Sequence, residues 1–175
     1  GGAGMGGGPP EERKCIEREG AMATEEMKGI IRRAIRFEED SYKLYTSASR
    51  RVKDPGAKAG LAELAREEKK HKAKLEGMLA GNLDWAVSVG RRARVKDLRI
   101  GGPLEARPIS EQSSLGDVLA VAIKREEATG AFYSQMASLV DPGPAKDLFE
   151  TLAKEETKHK RYVERIYEED VYKEF

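Results

Sequence analysis

Two stretches of sequence decide the fold, Glu68-Lys69-Lys70-His71 and Glu156-Thr157-Lys158-His159, and they contain both histidines of the chain. Each stretch begins 30 residues after a separate glutamate, Glu38 in the first case and Glu126 in the second. The pattern of one glutamate followed by Glu-x-x-His therefore occurs twice, with an offset of 88 residues. Because residues three apart share one face of an α-helix, each Glu-x-x-His pair can point at a single target.

The 88-residue repeat extends beyond the two motifs. Each half also contains Asp-Pro-Gly, at residues 54–56 and 141–143, where a helix is expected to break. A duplicated unit of two helices explains these features, so the sequence predicts a four-helix bundle. Eight pairs of identical residues keep the offset: Ala34/Ala122, Ile35/Ile123, Glu38/Glu126, Tyr45/Tyr133, Leu64/Leu152, Ala65/Ala153, Glu68/Glu156 and His71/His159.

Apolar periodicity and helix-capping signals place the predicted helices along the chain. Thr24 is the expected N-cap of the first helix, and Ser114 with Asp117 forms a capping-box pattern at the third. We expect the helices near residues 24–52, 57–79, 114–140 and 144–167. The predicted organisation is a flexible N-terminal tail (1–23), a first helix pair (24–81), a long crossover between helices 2 and 3 (82–113), a second helix pair (114–168) and a C-terminal tail (169–175).

The composition limits the classes of function. Charged residues make up 36% of the chain and aromatic residues 6%, and the charged and aliphatic residues recur at helical spacing, as in helical proteins. The formal net charge is +1, so we expect neither nucleic acid nor an anionic membrane surface as a partner. No apolar run approaches the ~18 residues of a membrane-spanning helix, and a cytoplasmic location is the default expectation. Cys15 is the only cysteine, so these 175 residues encode no rubredoxin, zinc or iron–sulfur module.

The register of the helices separates glutamates that face the core from their neighbours. Glu38 shares a helix face with Ile31 and Ala34, whereas the adjacent Glu39 shares its face with Arg32 and further basic residues. The first face is apolar and the second is solvated, so Glu38 is predicted to point inwards. The same comparison places on inward faces Glu68, Glu126, Glu156, His71 and His159.

Carboxylates buried at one level of a bundle would repel one another strongly unless cations neutralise them. Two divalent ions carry enough positive charge for four glutamates, and the mixture of carboxylate and imidazole suits iron or manganese better than calcium or magnesium. We therefore predict a pair of metal ions, two irons, iron with manganese, or two manganese, with Glu68 and Glu156 as bridges. The predicted metal ligands, which are also the predicted catalytic residues, are Glu38, Glu68, His71, Glu126, Glu156 and His159.

Two tyrosines, Tyr45 and Tyr133, follow the single glutamates Glu38 and Glu126 by seven residues, which is two helical turns along the same face. One interpretation is that both are aromatic core residues of amphipathic helices. The other is that each phenol forms a hydrogen bond to a ligand carboxylate and so orients it. The sequence leaves both interpretations open.

Four segments resemble the rubrerythrin-like branch of the ferritin-like superfamily: 34–38 with Tyr45, 64–71, 122–126 with 132–133, and 152–159. The resemblance covers roughly residues 25–168. It implies a ferritin-like four-helix bundle, a di-iron centre at the six positions above, and reaction of the reduced irons with oxygen or hydrogen peroxide. It also implies an external electron donor, such as a rubredoxin or a similar reductase, and we expect a homodimer, with any exchange of helices between chains left open.

The chain departs from rubrerythrins proper at two points. These 175 residues contain no cysteines for a rubredoxin domain, and Thr129 stands one turn after the third-helix glutamate, where rubrerythrins have an additional glutamate. The matching residue of the first half is Ser41, so the ligand set is symmetric, as in bacterioferritin-type ferroxidase centres. Our first prediction is a non-haem di-iron oxidoreductase of rubrerythrin-like type. The alternatives are a ferroxidase or iron-handling mini-ferritin, and a non-catalytic metal-binding bundle.

Overall fold

The computed structural model describes residues 9–81, 110 and 112–171. This part of the chain consists of α-helices without a β-strand, which confirms the predicted all-α class. Within these residues no helix is long and apolar enough to cross a membrane. In chain order the helices are α1 (Pro10–Arg51), α2 (Pro55–Ala80), α3 (Leu115–Leu139) and α4 (Pro144–Val171).

The helices pack as two pairs, α1 with α2 and α3 with α4. The pairs meet through contacts between α1 and α3 and, less extensively, between α2 and α4. This arrangement is the predicted four-helix bundle, in which each pair corresponds to one copy of the repeat. The crossover predicted over 82–113 lies outside the described residues except for Ser110, Gln112 and Ser113.

Local sequence signals fix where three of the helices begin. Asp54 is the N-cap of α2, and its side chain accepts a hydrogen bond of 2.7 Å from the Ala57 amide. The predicted capping box at the start of α3 is confirmed, because the Asp117 amide donates to Ser114 Oγ and the Ser114 amide donates to Asp117 Oδ2, each at 3.1 Å. Gly143 has a φ of 151° immediately before α4, a conformation that L side chains rarely adopt.

Two helices extend beyond their predicted bounds, one at its N-terminal end and the other at its C-terminal end. Helix α1 begins at Pro10 rather than after Thr24, so residues 10–23 are helical and not a flexible tail. A proline at the first helical position needs no amide hydrogen-bond partner and has a suitable fixed φ, so Pro10 fits the start of this helix. Helix α4 likewise continues to Val171, which makes residues 169–171 helical.

The core consists of two apolar clusters with a polar layer between them. One cluster contains Ile31, Leu75, Met136 and Leu152, and the other contains residues such as Leu119. Along every helix, the buried charged residues fall in sequence between the members of the two clusters. The apolar clusters therefore enclose the polar layer from both ends of the bundle. The rest of the second cluster includes Leu44, Leu61, Val118, Val163 and Ile166.

Candidate metal centre

All six residues predicted to bind metal meet in the polar layer. Helices α1 and α3 each contribute one glutamate, and α2 and α4 each contribute a Glu-x-x-His pair. Every one of the six residues is at most 3% exposed, although all carry ionisable groups. The residues are Glu38, Glu68, His71, Glu126, Glu156 and His159.

Candidate ligand atoms form two overlapping groups, each with its atoms within 4.8 Å of one another. Glu38 and His71 belong to the first group, and Glu126 and His159 belong to the second. Both groups contain Glu68 and Glu156. Two carboxylates shared between two adjacent clusters are the arrangement that carboxylate-bridged metal pairs use in helical bundles. These groups could hold two metal ions.

The Nδ1 atom of each histidine faces the carboxylates of both helix pairs. His71 Nδ1 lies 2.9 Å from Glu156 Oε1 and 3.4 Å from Glu38 Oε2. His159 Nδ1 lies 2.9 Å from Glu68 Oε1 and 3.7 Å from Glu126 Oε2. The two imidazole rings stack with centroids 5.5 Å apart and planes inclined by 11°. The histidines therefore present equivalent atoms to equivalent surroundings.

Six buried atoms of this cluster have no hydrogen-bond partner among the described residues: both Oε atoms of Glu68, the Nδ1 atoms of His71 and His159, Glu126 Oε2 and Glu156 Oε1. The short separations around the Nδ1 atoms are thus not aligned as hydrogen bonds. Unpaired buried polar atoms are rare in folded proteins because leaving them unpaired is costly. Their lone pairs converge on the two groups, so a cation in each group would satisfy the atoms that the protein does not.

Burial raises the pKa of three of the four glutamates. The pKa values of Glu68 and Glu156 rise to about 7, and that of Glu126 rises well above its ordinary value. For Glu38, burial acts in the same raising direction, but the neighbouring His71 and Glu68 side chains outweigh it and leave that pKa lowered. The carboxylates of Glu68, Glu126 and Glu156 therefore bind protons readily when no other cation neutralises them.

The pKa values of both histidines are raised. Burial alone would lower the pKa of His71, but the carboxylates of Glu156, Glu38 and Glu68 outweigh burial and raise it to about 12. For His159, burial acts in the same lowering direction and the carboxylate of Glu68 has the largest opposing effect. Each imidazole thus lies in a strongly negative environment, which would equally favour a metal cation.

The two tyrosines contact the cluster from the opposite helix pair. Tyr45 on α1 donates its hydroxyl hydrogen to Glu126 Oε1 on α3, and Tyr133 on α3 donates to Glu38 Oε1 on α1. Both side chains are fully buried, and burial together with the neighbouring carboxylates raises both pKa values well above the ordinary range. Each phenol therefore remains protonated and fixes one oxygen of a clustered carboxylate, while its ring contributes to an apolar cluster.

Sequence reasoning missed two residues that touch the histidines, Glu67 and Glu155. His71 Nε2 lies 2.9 Å from Glu155 Oε2, and His159 Nε2 lies 2.7 Å from Glu67 Oε2. A signal was available, because the Glu-Glu doublets 67–68 and 155–156 also keep the 88-residue offset.

Thr129 occupies the position at which rubrerythrins have an additional glutamate. Its hydroxyl donates to the Arg125 carbonyl at 2.8 Å and lies 3.4 Å from Glu156 Oε2. The side chain is 4% exposed, so it belongs to the wall of the cluster. A threonine with a hydroxyl directed mainly to its own helix adds no charge here, and the set of charged residues stays symmetric.

The fold and the cluster together define a ferritin-like bundle with a buried carboxylate–histidine centre that could hold metal. The family model for rubrerythrin matches residues 29–98 and 117–174, and the chain therefore belongs to the rubrerythrin family. No curated protein and no solved structure matches the chain.

Proposed function

We propose that the protein is a non-haem di-iron oxidoreductase of rubrerythrin-like type, which reduces hydrogen peroxide or oxygen at a dinuclear centre. The observation that carries this proposal is the set of six buried, unpaired atoms on both histidines and three of the glutamates. These atoms are the lone-pair donors that a metal pair requires, and the part of the chain that the structure describes supplies no hydrogen-bond partner for them. Membership of the rubrerythrin family favours iron as the metal.

The ligand roles follow from the two overlapping groups of atoms. Glu38 and His71 would bind one ion, and Glu126 and His159 would bind the other. Glu68 and Glu156 would bridge the pair. Bound iron would supply the electron-transfer chemistry.

The side chains around the ligands would hold the carboxylates in place and exclude water. Tyr45 and Tyr133 fix Glu126 and Glu38 through buried hydrogen bonds. The two apolar clusters close the polar layer at both ends, which keeps electrostatic interactions inside it strong. The hydrogen bonds and the packing would thus preorganise the ligands before an oxidant arrives.

The proposed reaction requires an electron donor. Reduction of one hydrogen peroxide molecule to two water molecules consumes two electrons and two protons. We propose a rubredoxin or a similar one-electron reductase as the external donor that returns the electrons.

A second candidate function, iron oxidation by a ferroxidase, is favoured by Thr129. With a threonine at this position, the charged residues are the symmetric set of four glutamates and two histidines. Iron storage additionally requires a hollow assembly of many chains. An assembly of twelve or more chains would support storage, and a dimer would argue against it.

The test is anaerobic loading with about two ferrous ions per chain, followed by stopped-flow absorbance against hydrogen peroxide and against oxygen. Faster oxidation by peroxide, with cycling when a reductant is supplied, is the expected result. Preference for oxygen, with iron accumulating beyond two per chain, would instead identify a ferroxidase.

Two double variants make the test specific. Glu68→Ala with Glu156→Ala removes both proposed bridges and should abolish iron-dependent peroxide consumption. Glu39→Ala with Glu127→Ala removes exposed neighbours of Glu38 and Glu126, which pair with lysines at the surface, and should leave the rate unchanged. Peroxide consumption at the wild-type rate by the first variant would refute the proposal. No reaction of the wild type with either oxidant would leave a non-catalytic metal site, especially if zinc stabilises the fold as much as iron does.

A further inference from the structure

We propose that Glu67 and Glu155 position the two histidines, each accepting a hydrogen bond from the Nε2–H of a histidine on the opposite helix so that Nδ1 is held towards the metal. The inference rests on the proposed metal centre and adds two residues to it. Glu155 on α4 contacts His71 on α2 at 2.9 Å, and Glu67 on α2 contacts His159 on α4 at 2.7 Å.

The position of the hydrogen on the imidazole ring explains why these contacts matter for metal binding. A neutral histidine has one N–H, and the nitrogen without a hydrogen is the one that can bind a metal. A strong acceptor at Nε2 keeps the hydrogen there and leaves the lone pair on Nδ1. A carboxylate is such an acceptor, because hydrogen bonds to charged groups are stronger than those between neutral groups.

The two ring nitrogens have different surroundings in both histidines. Each Nδ1 faces the buried carboxylates and, within residues 9–81, 110 and 112–171, has no hydrogen-bond partner, whereas each Nε2 has one glutamate oxygen at hydrogen-bond distance. The histidine side chains are only 2% and 4% exposed. Water therefore has little access to Nε2, and the glutamates satisfy a donor that would otherwise be buried without a partner.

The alternative to a positioning role is that Glu67 and Glu155 only form ion pairs at the surface. Glu155 does pair with Lys74 at 3.2 Å, and its side chain is 33% exposed. The side chain of Glu67 is 40% exposed and makes the equivalent histidine contact, although the residue corresponding to Lys74 in the other half is Tyr162. The histidine contact is therefore the feature that both halves share, and the lysine contact is not.

The hydrogen bonds also join α2 to α4, which belong to different halves of the bundle. Since the contact between these helices is the less extensive of the two between the pairs, cross-links at the level of the cluster would fix the spacing of the histidines. Both glutamates are partly exposed, so their replacement should leave the apolar clusters and the fold intact.

The test uses zinc as a diamagnetic probe and protein labelled with ¹⁵N-histidine. The chain has only two histidines, so after removal of any purification tag the spectrum contains two imidazoles. In the zinc-loaded wild type, both should carry hydrogen on Nε2 and bind through Nδ1. Glu155→Ala should perturb the tautomer of His71 alone, Glu67→Ala that of His159 alone, and each should weaken zinc binding by roughly 10–100-fold.

Conservative variants and matched controls decide whether the hydrogen bond is the cause. Glu155→Gln and Glu67→Gln keep an acceptor oxygen and should restore the wild-type tautomers and most of the affinity. Glu76→Ala on α2 and Glu164→Ala on α4 remove partly exposed glutamates that pair with lysines and should change neither quantity.

Three outcomes would overturn the inference. Unchanged tautomers and affinity in both alanine variants would show that the glutamates do not position the histidines. Glutamine variants as defective as the alanine variants would show that charge acts instead of the hydrogen bond. If the wild type itself binds no zinc through Nδ1, the proposed metal centre fails, and the inference fails with it. Circular dichroism of each variant checks that the fold is retained.

Discussion

The two halves of the bundle, α1–α2 and α3–α4, are alike at the centre and different towards the ends. At the centre, each histidine Nδ1 lies 2.9 Å from a glutamate of the other half, and each Nε2 lies within 3 Å of another. Away from the centre, Gly60 corresponds to Leu148 and Lys74 corresponds to Tyr162. The distances around the histidines are therefore repeated in both halves, where the placement of ligands requires it. Away from the cluster, different residues pack at corresponding positions of the two halves.

The largest expected effect concerns the paired glutamates Glu68 and Glu156 in the metal-free protein. Both pKa values are raised to about 7 in the folded state from an ordinary 4.5. Between these values the folded state binds more protons than the unfolded state, so the free energy of unfolding should fall as the pH rises, by on the order of a few kcal/mol. Denaturant unfolding at about pH 5 and about pH 7.5 measures this.

Other ionisable groups of the cluster do not reverse this trend in that window. His71 has a raised pKa, so its contribution is complete below 6.5 and is lost as the pH rises towards about 12, which is the same direction. Glu38 has a lowered pKa, so its contribution is lost only as the pH falls below 4.5. Glu68→Ala and Glu156→Ala should each reduce the slope, and by similar amounts if the halves are equivalent. A metal-free protein whose stability rises across this window would contradict the prediction.

The next largest effect is expected at Tyr45 and Tyr133, and it tests whether the two halves of the cluster are equivalent. Tyr45→Phe and Tyr133→Phe each remove a hydrogen bond to a buried carboxylate without changing the ring. Each variant should lower the free energy of unfolding by about 1–3 kcal/mol, because it leaves a buried carboxyl oxygen without its hydrogen-bond donor. Denaturant unfolding of both variants at one pH gives the comparison.

Tyr42→Phe is the matched control for the tyrosine variants. Tyr42 is half-buried, and its ring contacts the Lys69 ammonium at 4.7 Å, a contact that phenylalanine can keep. We expect little change in stability for this variant. A difference of more than about 0.5 kcal/mol between Tyr45→Phe and Tyr133→Phe would show that the two sides of the cluster are not equivalent.

The sequence predicts the residues of the buried cluster better than the contacts between helices and the helix ends. Glu38 and its equivalents were identifiable because a charged residue on an apolar stripe is a strong signal, and the repeat doubles it. Glu67 and Glu155 were not, because their role depends on how α2 and α4 lie against each other, which no spacing within one helix encodes. The start of α1 was missed because Pro10 can either interrupt a helix or begin one.

A smaller effect is expected at Gly60, where the halves differ in packing. A Cβ atom at Gly60 would overlap with the ring and hydroxyl of Tyr162 on α4. Overpacking typically costs about 1–3 kcal/mol, and the higher helix propensity of alanine offsets up to about 1 kcal/mol of this. Gly60→Ala should therefore lower the free energy of unfolding by about 1–2 kcal/mol net.

Gly77→Ala on the same helix is the control for Gly60→Ala. Among the described residues, no atom beyond the local helix backbone lies within 4 Å of a Cβ built at Gly77, so this variant should gain roughly 0.5–1 kcal/mol from helix propensity alone. Combining Gly60→Ala with Tyr162→Ala should remove the overlap and recover part of the loss in a double-mutant cycle. Equal stability changes in the two glycine variants would show that Tyr162 does not constrain this position.

The smallest effect is expected at Lys74, which makes the two histidine environments unequal. Its ammonium lies 3.2 Å from Glu155 Oε2, the oxygen that also contacts His71. Removing the lysine should leave more negative charge on the acceptor and make His71 a slightly better ligand. Because both side chains are at least one-third exposed, the change should not exceed about 1 kcal/mol, or about fivefold in zinc affinity.

The effect of Lys74→Ala can be measured at each histidine separately, because the ¹⁵N resonances of zinc-loaded protein distinguish His71 from His159. The expected result is a shift at His71 with slightly tighter zinc binding, and no shift at His159. Lys72→Ala, which removes a partner of Glu39, controls for the loss of one positive charge from α2. Equal shifts at both histidines, or weaker zinc binding, would mean that Lys74 acts on the whole cluster. The difference between the two halves at Lys74 and Tyr162 would then not be confined to the surroundings of His71.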